Sequence, residues 1–206
     1  MDDLDLLKKD WQKSDNFNQV SEQDIYGMLH KNSSSIVRWL LIISVLEFVL
    51  WTGLSFILDS SNHFKDEHDL LYFGLIEYFG YGIILIFIYF LFKNYKNITT
   101  TVTTKQLMID ILKTKKIVQY YVWYNLTMIV LTVFLGVGYI FFVNPENEIL
   151  KQKFLDEPKL LFGFIITIIG ITIIFLGVFW LFYKLIYGIL LKKLYANYEE
   201  LKKIDL

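Results

Sequence analysis

Four apolar runs dominate this sequence, and each is longer than the ~20 residues that carry a helix across ~30 Å of hydrocarbon. They extend from about Ile36 to Leu58, Leu70 to Phe92, Val118 to Val143 and Leu160 to Leu191. A soluble domain collects its apolar residues in short periodic stripes, because only one face of each element meets the core. Here 55% of the 206 residues are hydrophobic, and the excess sits in those four blocks. The fold class this predicts is an all-α membrane protein, with four transmembrane helices in two tandem hairpins and short amphipathic cytoplasmic helices.

The polar intervals set the boundaries and the orientation. Residues 1–34 read as a cytoplasmic amphipathic segment, 35–92 as the first transmembrane hairpin and 93–117 as a cytoplasmic connector containing one short helix. Residues 118–191 read as the second hairpin, and 192–206 as a cytoplasmic helical tail. The outer loops are Asp59 to Asp69 and Asn144 to Lys159, the latter bounded by Pro145 and Pro158. Net charge is only -1, so the distribution of cations carries the signal. The N-terminal segment through Arg38, the 93–116 loop and the end from Lys184 hold five, six and five Lys or Arg, against one and three in the outer loops. By the positive-inside rule both termini are expected in the cytoplasm. Trp39, Tyr72, Tyr120, Tyr121, Trp123 and Tyr139 near span ends fit interfacial belts. The first apolar block begins behind a charged segment and is too long for a signal h-region, so no cleavable signal peptide is expected.

The cytoplasmic segments have patterns of their own. Leu4, Leu7 and Trp11 fall on one helical stripe among charged residues. Ser21 with Asp24 reads as a capping box, opening a second helix whose apolar face is Ile25, Met28 and Leu29. Past the fourth span, Leu194, Tyr198 and Leu201 keep helical spacing, so that span is expected to continue into the cytoplasm. The two halves also resemble each other: Ile25, Leu29 and Lys31 match Leu107, Ile111 and Lys113, and Ile36-Val37 matches Ile117-Val118. Phe73-Gly74 likewise answers Phe162-Gly163, and Leu91-Phe92 answers Leu181-Phe182. Both units enter from the same side, which makes this a parallel repeat.

Glu47 and Glu77 lie inside the spans. A carboxylate in hydrocarbon is costly unless it is protonated, paired or turned toward a cavity, and no Lys or Arg lies at matching depth. The expected partners are Ser44, Trp51, Tyr78, Tyr81 or Asn125, joining helices by hydrogen bonds; proton or ion passage is the functional alternative. Gly163, Gly170 and Gly177 recur every seven residues and read as a helix-packing stripe, within the bundle or between two copies. His63 and His68, with Asp66, Glu67 and Asp69, read as a solvated acidic loop rather than a metal site. His30 reads as a non-chemical residue of the amphipathic segment. The lysines of the 93–116 segment face a headgroup region in this scheme, worth ~1 kcal/mol each against anionic lipid. Tyr95 is the one aromatic residue of that segment, too few for a base-stacking surface, so nucleic acid is not an expected partner.

No glycine-rich phosphate loop, nucleophile elbow or helical histidine pair occurs, and there are no cysteines. An enzyme is therefore not expected, and no cofactor or metal is implied. The opening LDLLKKDWQK (Leu4 to Lys13), the KNSSSIV run (Lys31 to Val37) and the closing LIYGILLKKLYANYEELKKIDL resemble uncharacterised four-span inner-membrane proteins of flavobacteria and related Bacteroidota. That resemblance implies the cytoplasmic membrane of a Gram-negative bacterium. It also suggests a likeness to membrane-anchored partners of alternative sigma factors, although the zinc-binding histidines and cysteines of the zinc-type anti-sigma domain are missing. The functional expectation is a regulatory or scaffold protein whose cytoplasmic stripes (Leu4, Leu7, Trp11, Ile25, Met28, Leu29) hold a protein partner. Those stripes are too short to bury their own apolar faces. The alternative is a small transporter or channel subunit that uses Glu47 and Glu77. Membrane lipid is an expected partner in either case, and a homo-oligomer is compatible with both.

Overall fold

The helices are longer than a bilayer requires, and that excess length organises the molecule. A computed structural model describes residues 21–59, 67–139, 141 and 148–204, with side chains for 21–57, 74–139, 141 and 148–203. Helix α1 spans Glu22–Asp59, α2 Glu67–Thr100, α3 Thr104–Gly138, α4 Glu148–Asp156 and α5 Pro158–Tyr183. A π-helical turn, Lys184–Gly188, then leads into α6, Ile189–Ile204. Among the described residues every regular element is a helix. Four helical stretches are long and apolar enough to cross a membrane: α1, α2, α3 and the α5–α6 continuum. At ~1.5 Å per residue they measure from roughly 50 to 70 Å, well beyond the ~30 Å of hydrocarbon.

Local chemistry accounts for the helix ends. Ser21 caps α1 as its spacing predicts: its hydroxyl accepts from the Asp24 amide at 3.1 Å and donates to the Asp24 carboxylate at 2.7 Å. At the end of α2, Thr99, Thr100 and Thr101 turn their hydroxyls back onto the Lys96 and Asn97 carbonyls. The threonine run thus satisfies acceptors that a helix end leaves open. Only Thr101–Thr103 separate α2 from α3. The separate connector helix expected within 93–117 does not exist, because its residues extend the flanking helices instead. Likewise α1 runs unbroken from the amphipathic segment into the first apolar run. Pro158 sits in the first turn of α5, where its missing N–H costs nothing.

The tight packing lies at one end. There α1 packs against α2 and α6, and α3 against α2 and α6, closing a four-helix square. Its core comprises Leu29, Ile36, Val37, Leu40, Leu91, Ile98, Leu107, Ile111, Val118, Tyr121, Tyr183, Tyr187, Leu194 and Leu201. We term this the base. The repeated words occupy matching places in it: Leu29 and Ile111 are both buried, as are Val37 and Val118. The correspondence ends further along, where Leu91 is buried and Leu181 exposed.

Polar side chains cross-link the base, each with partners. Asn197 accepts from the Asn32 amide at 3.1 Å and donates to Ser33 Oγ at 3.0 Å, joining α1 to α6. His30 Nε2 donates to the Ile98 carbonyl at 2.7 Å, and Tyr26 Oη donates to the Thr101 carbonyl at 3.3 Å, joining α1 to α2 and to the turn that follows it. Asn94 donates to the Asp110 carbonyl at 2.8 Å and to Thr114 Oγ1 at 2.5 Å, joining α2 to α3. The fully buried Asp110 carboxylate accepts from Gln106 and Thr101, with Lys113 at 3.7 Å. Satisfied networks of this kind select one register of helix packing, since any slip strands a buried polar group.

Away from the base the helices separate. In the most apolar stretch of each spanning helix, between 0% and 11% of residues are buried, so those stretches present apolar side chains outward all round. That is the arrangement a lipid solvent rewards.

Candidate functional site: two carboxylates inside the spans

The expected glycine seam is not built into the bundle. A Cβ placed on Gly163, Gly170 or Gly177 would meet nothing within 4 Å. Among the described residues the stripe therefore makes no close helix contact, contrary to the first of its two expected roles. Gly80 does have a neighbour, the Tyr124 hydroxyl at 3.8 Å from such a Cβ.

Glu47 and Glu77, by contrast, both have partners. Glu47 lies on α1 one turn beyond Ser44 and is only 9% exposed. Tyr183 Oη donates to its Oε1 at 2.6 Å, and Tyr187 Oη donates to its Oε2 at 2.8 Å. The ring of Tyr121 packs on both tyrosines, 6.5 and 5.9 Å between centroids. Ser44 Oγ bonds the Leu40 carbonyl and lies 3.3 Å from Tyr187 Oη. The π-helical turn contributes directly. Its slower rotation per residue brings positions 183 and 187 nearly into line, so two hydroxyls from consecutive turns reach one carboxylate. Of the partners expected for Glu47, Ser44 is present one bond removed. Tyr183 and Tyr187 lie 136 and 140 residues away, and only their i, i+4 spacing within an apolar run hints at a shared polar target.

Glu77, on α2, accepts from Tyr81 Oη at 2.5 Å and from the hydroxyl of Ser55 on α1. Tyr81 was an expected partner; Tyr78, the other candidate on this helix, is 74% exposed. Asn125 instead donates to the Tyr121 carbonyl at 2.9 Å. Trp51 packs on Phe179 at 5.8 Å between ring centroids, near Glu47.

Both acids border cavities left where the helices part. Glu77 lines one of about 360 Å³ with Gly80, Tyr81, Tyr124, Asn125 and Thr132. A second, of about 600 Å³, shares Ile84, Asn125, Met128 and Thr132 with the first and reaches Trp51, Thr172 and Tyr183. A third, of about 440 Å³, lies between α1 and α5 against Glu47. Among the described residues, two buried hydroxyls lack a partner, Tyr124 Oη and Thr52 Oγ1. Tyr124 borders the first cavity, on the same side as Glu77. On the base side of Glu47 lie Leu40, Val37, Leu91 and Val118, each at most 1% exposed.

The stripe of Ile25, Met28 and Leu29 is divided by the fold. Leu29 is buried in the base and Ile25 packs against it, while Met28 is 58% exposed. Leu29 and Ile25 are thus taken up by the chain's own helices, which supply the apolar cover that a short isolated helix lacks. Leu4, Leu7 and Trp11 lie outside the described residues, as do His63, Asp66 and the side chains of Glu67, His68 and Asp69. His30, expected to be chemically idle, is one of the ties between α1 and α2.

Comparison with curated proteins and with solved structures found no match. A family model does match, over residues 23–206, and it takes in the base, all four spanning helices and both intramembrane acids. The chain belongs to the family described as Domain of unknown function (DUF8845).

Proposed function

We propose that the protein is a regulatory or scaffold protein of the bacterial inner membrane, built as two tandem transmembrane hairpins, with both termini and the base in the cytoplasm. One observation carries this reading: specific packing continues past the apolar runs, into a base whose polar cross-links (His30, Asn32, Ser33, Asn94, Asp110, Thr114, Asn197) all lie outside them. A protein whose work lay only in the bilayer would have no need of a second, water-facing core. Sidedness rests on the cation count, since the base is formed from the Lys-rich segments.

On this reading the partner-binding element is the Leu4, Leu7 and Trp11 stripe, with Met28 as the exposed residue of the neighbouring helix. Ile25 and Leu29 leave the docking surface because the fold uses them. The partner is a cytoplasmic protein that offers an apolar groove to a short amphipathic helix. An anti-sigma-like role falls within this class.

The test is affinity purification from native membranes, comparing the intact chain with one lacking residues 1–20 and with a Leu7→Asp, Trp11→Asp variant. A cytoplasmic protein recovered with the intact chain alone supports the reading. Identical recovery by all three sinks it. The deletion stops at residue 20 because removing Leu29 and Ser33 would open the base itself.

A second reading, a small transporter or channel subunit, is favoured by the cavities that connect Glu77 with the Tyr183–Glu47 pair. The buried apolar side chains of Val37, Leu40, Leu91 and Val118, packed in one cluster on the base side of Glu47, weigh against a continuous pore in this conformation. Ion or solute flux in proteoliposomes that is unchanged by Glu47→Gln with Glu77→Gln would remove this alternative.

A further inference from the structure

We infer that the cleft between the end of α2 and the start of α3 is a binding site for the phosphate headgroup of an anionic glycerophospholipid. Two helix faces form it, and they carry the same gradient in opposite chain directions. From α2 come Phe90, Lys93, Asn94 and Asn97; from α3 come Lys113, Lys116, Ile117 and Tyr120. Both sets keep i, i+3, i+4, i+7 spacing, so each is a single stripe. Because α2 and α3 are antiparallel, Phe90 and Tyr120 stand together at the apolar end, and Asn97 and Lys113 at the water end. The cleft encloses about 290 Å³.

Its charge fits one class of ligand. Three lysines line it and no carboxylate does. Lys113 is 3.7 Å from Asp110, whose side chain is fully buried beneath it. Among the described residues no carboxylate lies within ion-pair distance of Lys93 or Lys116. Neighbouring lysines are engaged elsewhere: Lys115 lies over the Tyr195 ring at 4.2 Å and Lys184 over the Trp180 ring at 4.6 Å. The floor is rigid, because both amide hydrogens of Asn94 are held by α3. The ligand would therefore meet a pre-shaped cradle and lose little to ordering it.

Height in the molecule selects a lipid over a soluble anion. Trp39, Tyr120 and Trp123 are all more than half exposed and ring the junction of base and apolar stretches, where aromatic side chains settle at the headgroup level. Lys113 and Lys116 lie one to two turns to the water side of Tyr120, within ~10 Å of that level. Phosphate oxygens meet the ammonium groups there, while the acyl chains run along Phe90 and Tyr120 into hydrocarbon. Basic clefts between spanning helices on the cytoplasmic side recognise such headgroups.

The experiment uses the full chain in a neutral detergent and follows its thermal unfolding midpoint during lipid titration. The probes are dioleoyl phosphatidylglycerol, dioleoyl phosphatidylcholine and free glycerol phosphate. Phosphatidylglycerol is expected to raise the midpoint saturably, and the other two are not. Lys93→Gln with Lys116→Gln is expected to weaken the lipid's apparent affinity by a factor on the order of 30, from ~1 kcal/mol per lysine. Asn97→Trp, which obstructs the cleft without changing charge, is expected to weaken it as well, and covers the case in which the lysine pair destabilises the fold. Lys202→Gln with Lys203→Gln removes the same charge from the far end of α6 and is expected to change nothing. Equal stabilisation by the two lipids, equal loss in the distant control, or equal competition by free glycerol phosphate would each overturn the assignment.

Discussion

Glu47 is the residue on which the span region depends most. Its two carboxylate oxygens take a hydroxyl each from Tyr183 and Tyr187, and these bonds tie α1 to the π-helical turn. Glu47→Leu removes both acceptors and leaves two hydroxyls in apolar surroundings, a cost of about 1–3 kcal/mol. Tyr187→Phe takes the donor from Oε2 and keeps the Tyr183 bond to Oε1, so its expected cost is smaller, about 1 kcal/mol. Unfolding of the purified protein in a denaturing-detergent titration measures both. Equal midpoints for wild type and Glu47→Leu would show that the cluster is not structural. In the base, Asn94→Leu leaves Thr114 and the Asp110 carbonyl short of a donor, with an expected loss of about 1–3 kcal/mol in the same titration.

At the scale of elements, the glycine stripe of α5 gives a prediction of opposite sign. Gly163, Gly170 and Gly177 have no neighbour to displace among the described residues, so alanine at all three leaves the monomer's unfolding midpoint unchanged or slightly raised, through the helix propensity gained. A large drop would mean that these positions are covered by another copy, and cross-linking would reveal it. The four long apolar helices, the Ser21 cap and the continuation of the last helix beyond its apolar run were all legible in the sequence, because run length and capping chemistry are local signals. The base was not. Its apolar positions belong to four separate segments, and each alone, such as Ile25 with Leu29, reads as a stripe awaiting a partner. The sequence cannot say that the partner is the same chain. The Glu47 cluster was half legible: a carboxylate in an apolar run demands a donor, but which of many tyrosines supplies it depends on the packing of α1 against α5 and α6. Asp110 gave no signal, since a buried acid and a solvated one look alike among lysines.

For the whole molecule, the division into a packed base and parted spans sets where damage is tolerated. Leu40 is fully buried at the top of the base, and Leu40→Ala is expected to cost about 2–5 kcal/mol. Removing residues 1–20 is expected to leave the unfolding midpoint within experimental error, because described packing begins at Ile25; a shift would assign those residues to the fold. The base also unites the two ends of the described chain. Asn32 bonds Asn197 at a sequence separation of 165, and Leu194 and Leu201 share one core with Leu29 and Ile111. Leu29, Val37 and Ile111 therefore depend on α6 for part of their cover, since α6 packs on both α1 and α3. Unseating that one helix would open an apolar seam along α1 and α3 at once, so its docking decides whether the base is sealed or open to proteolysis.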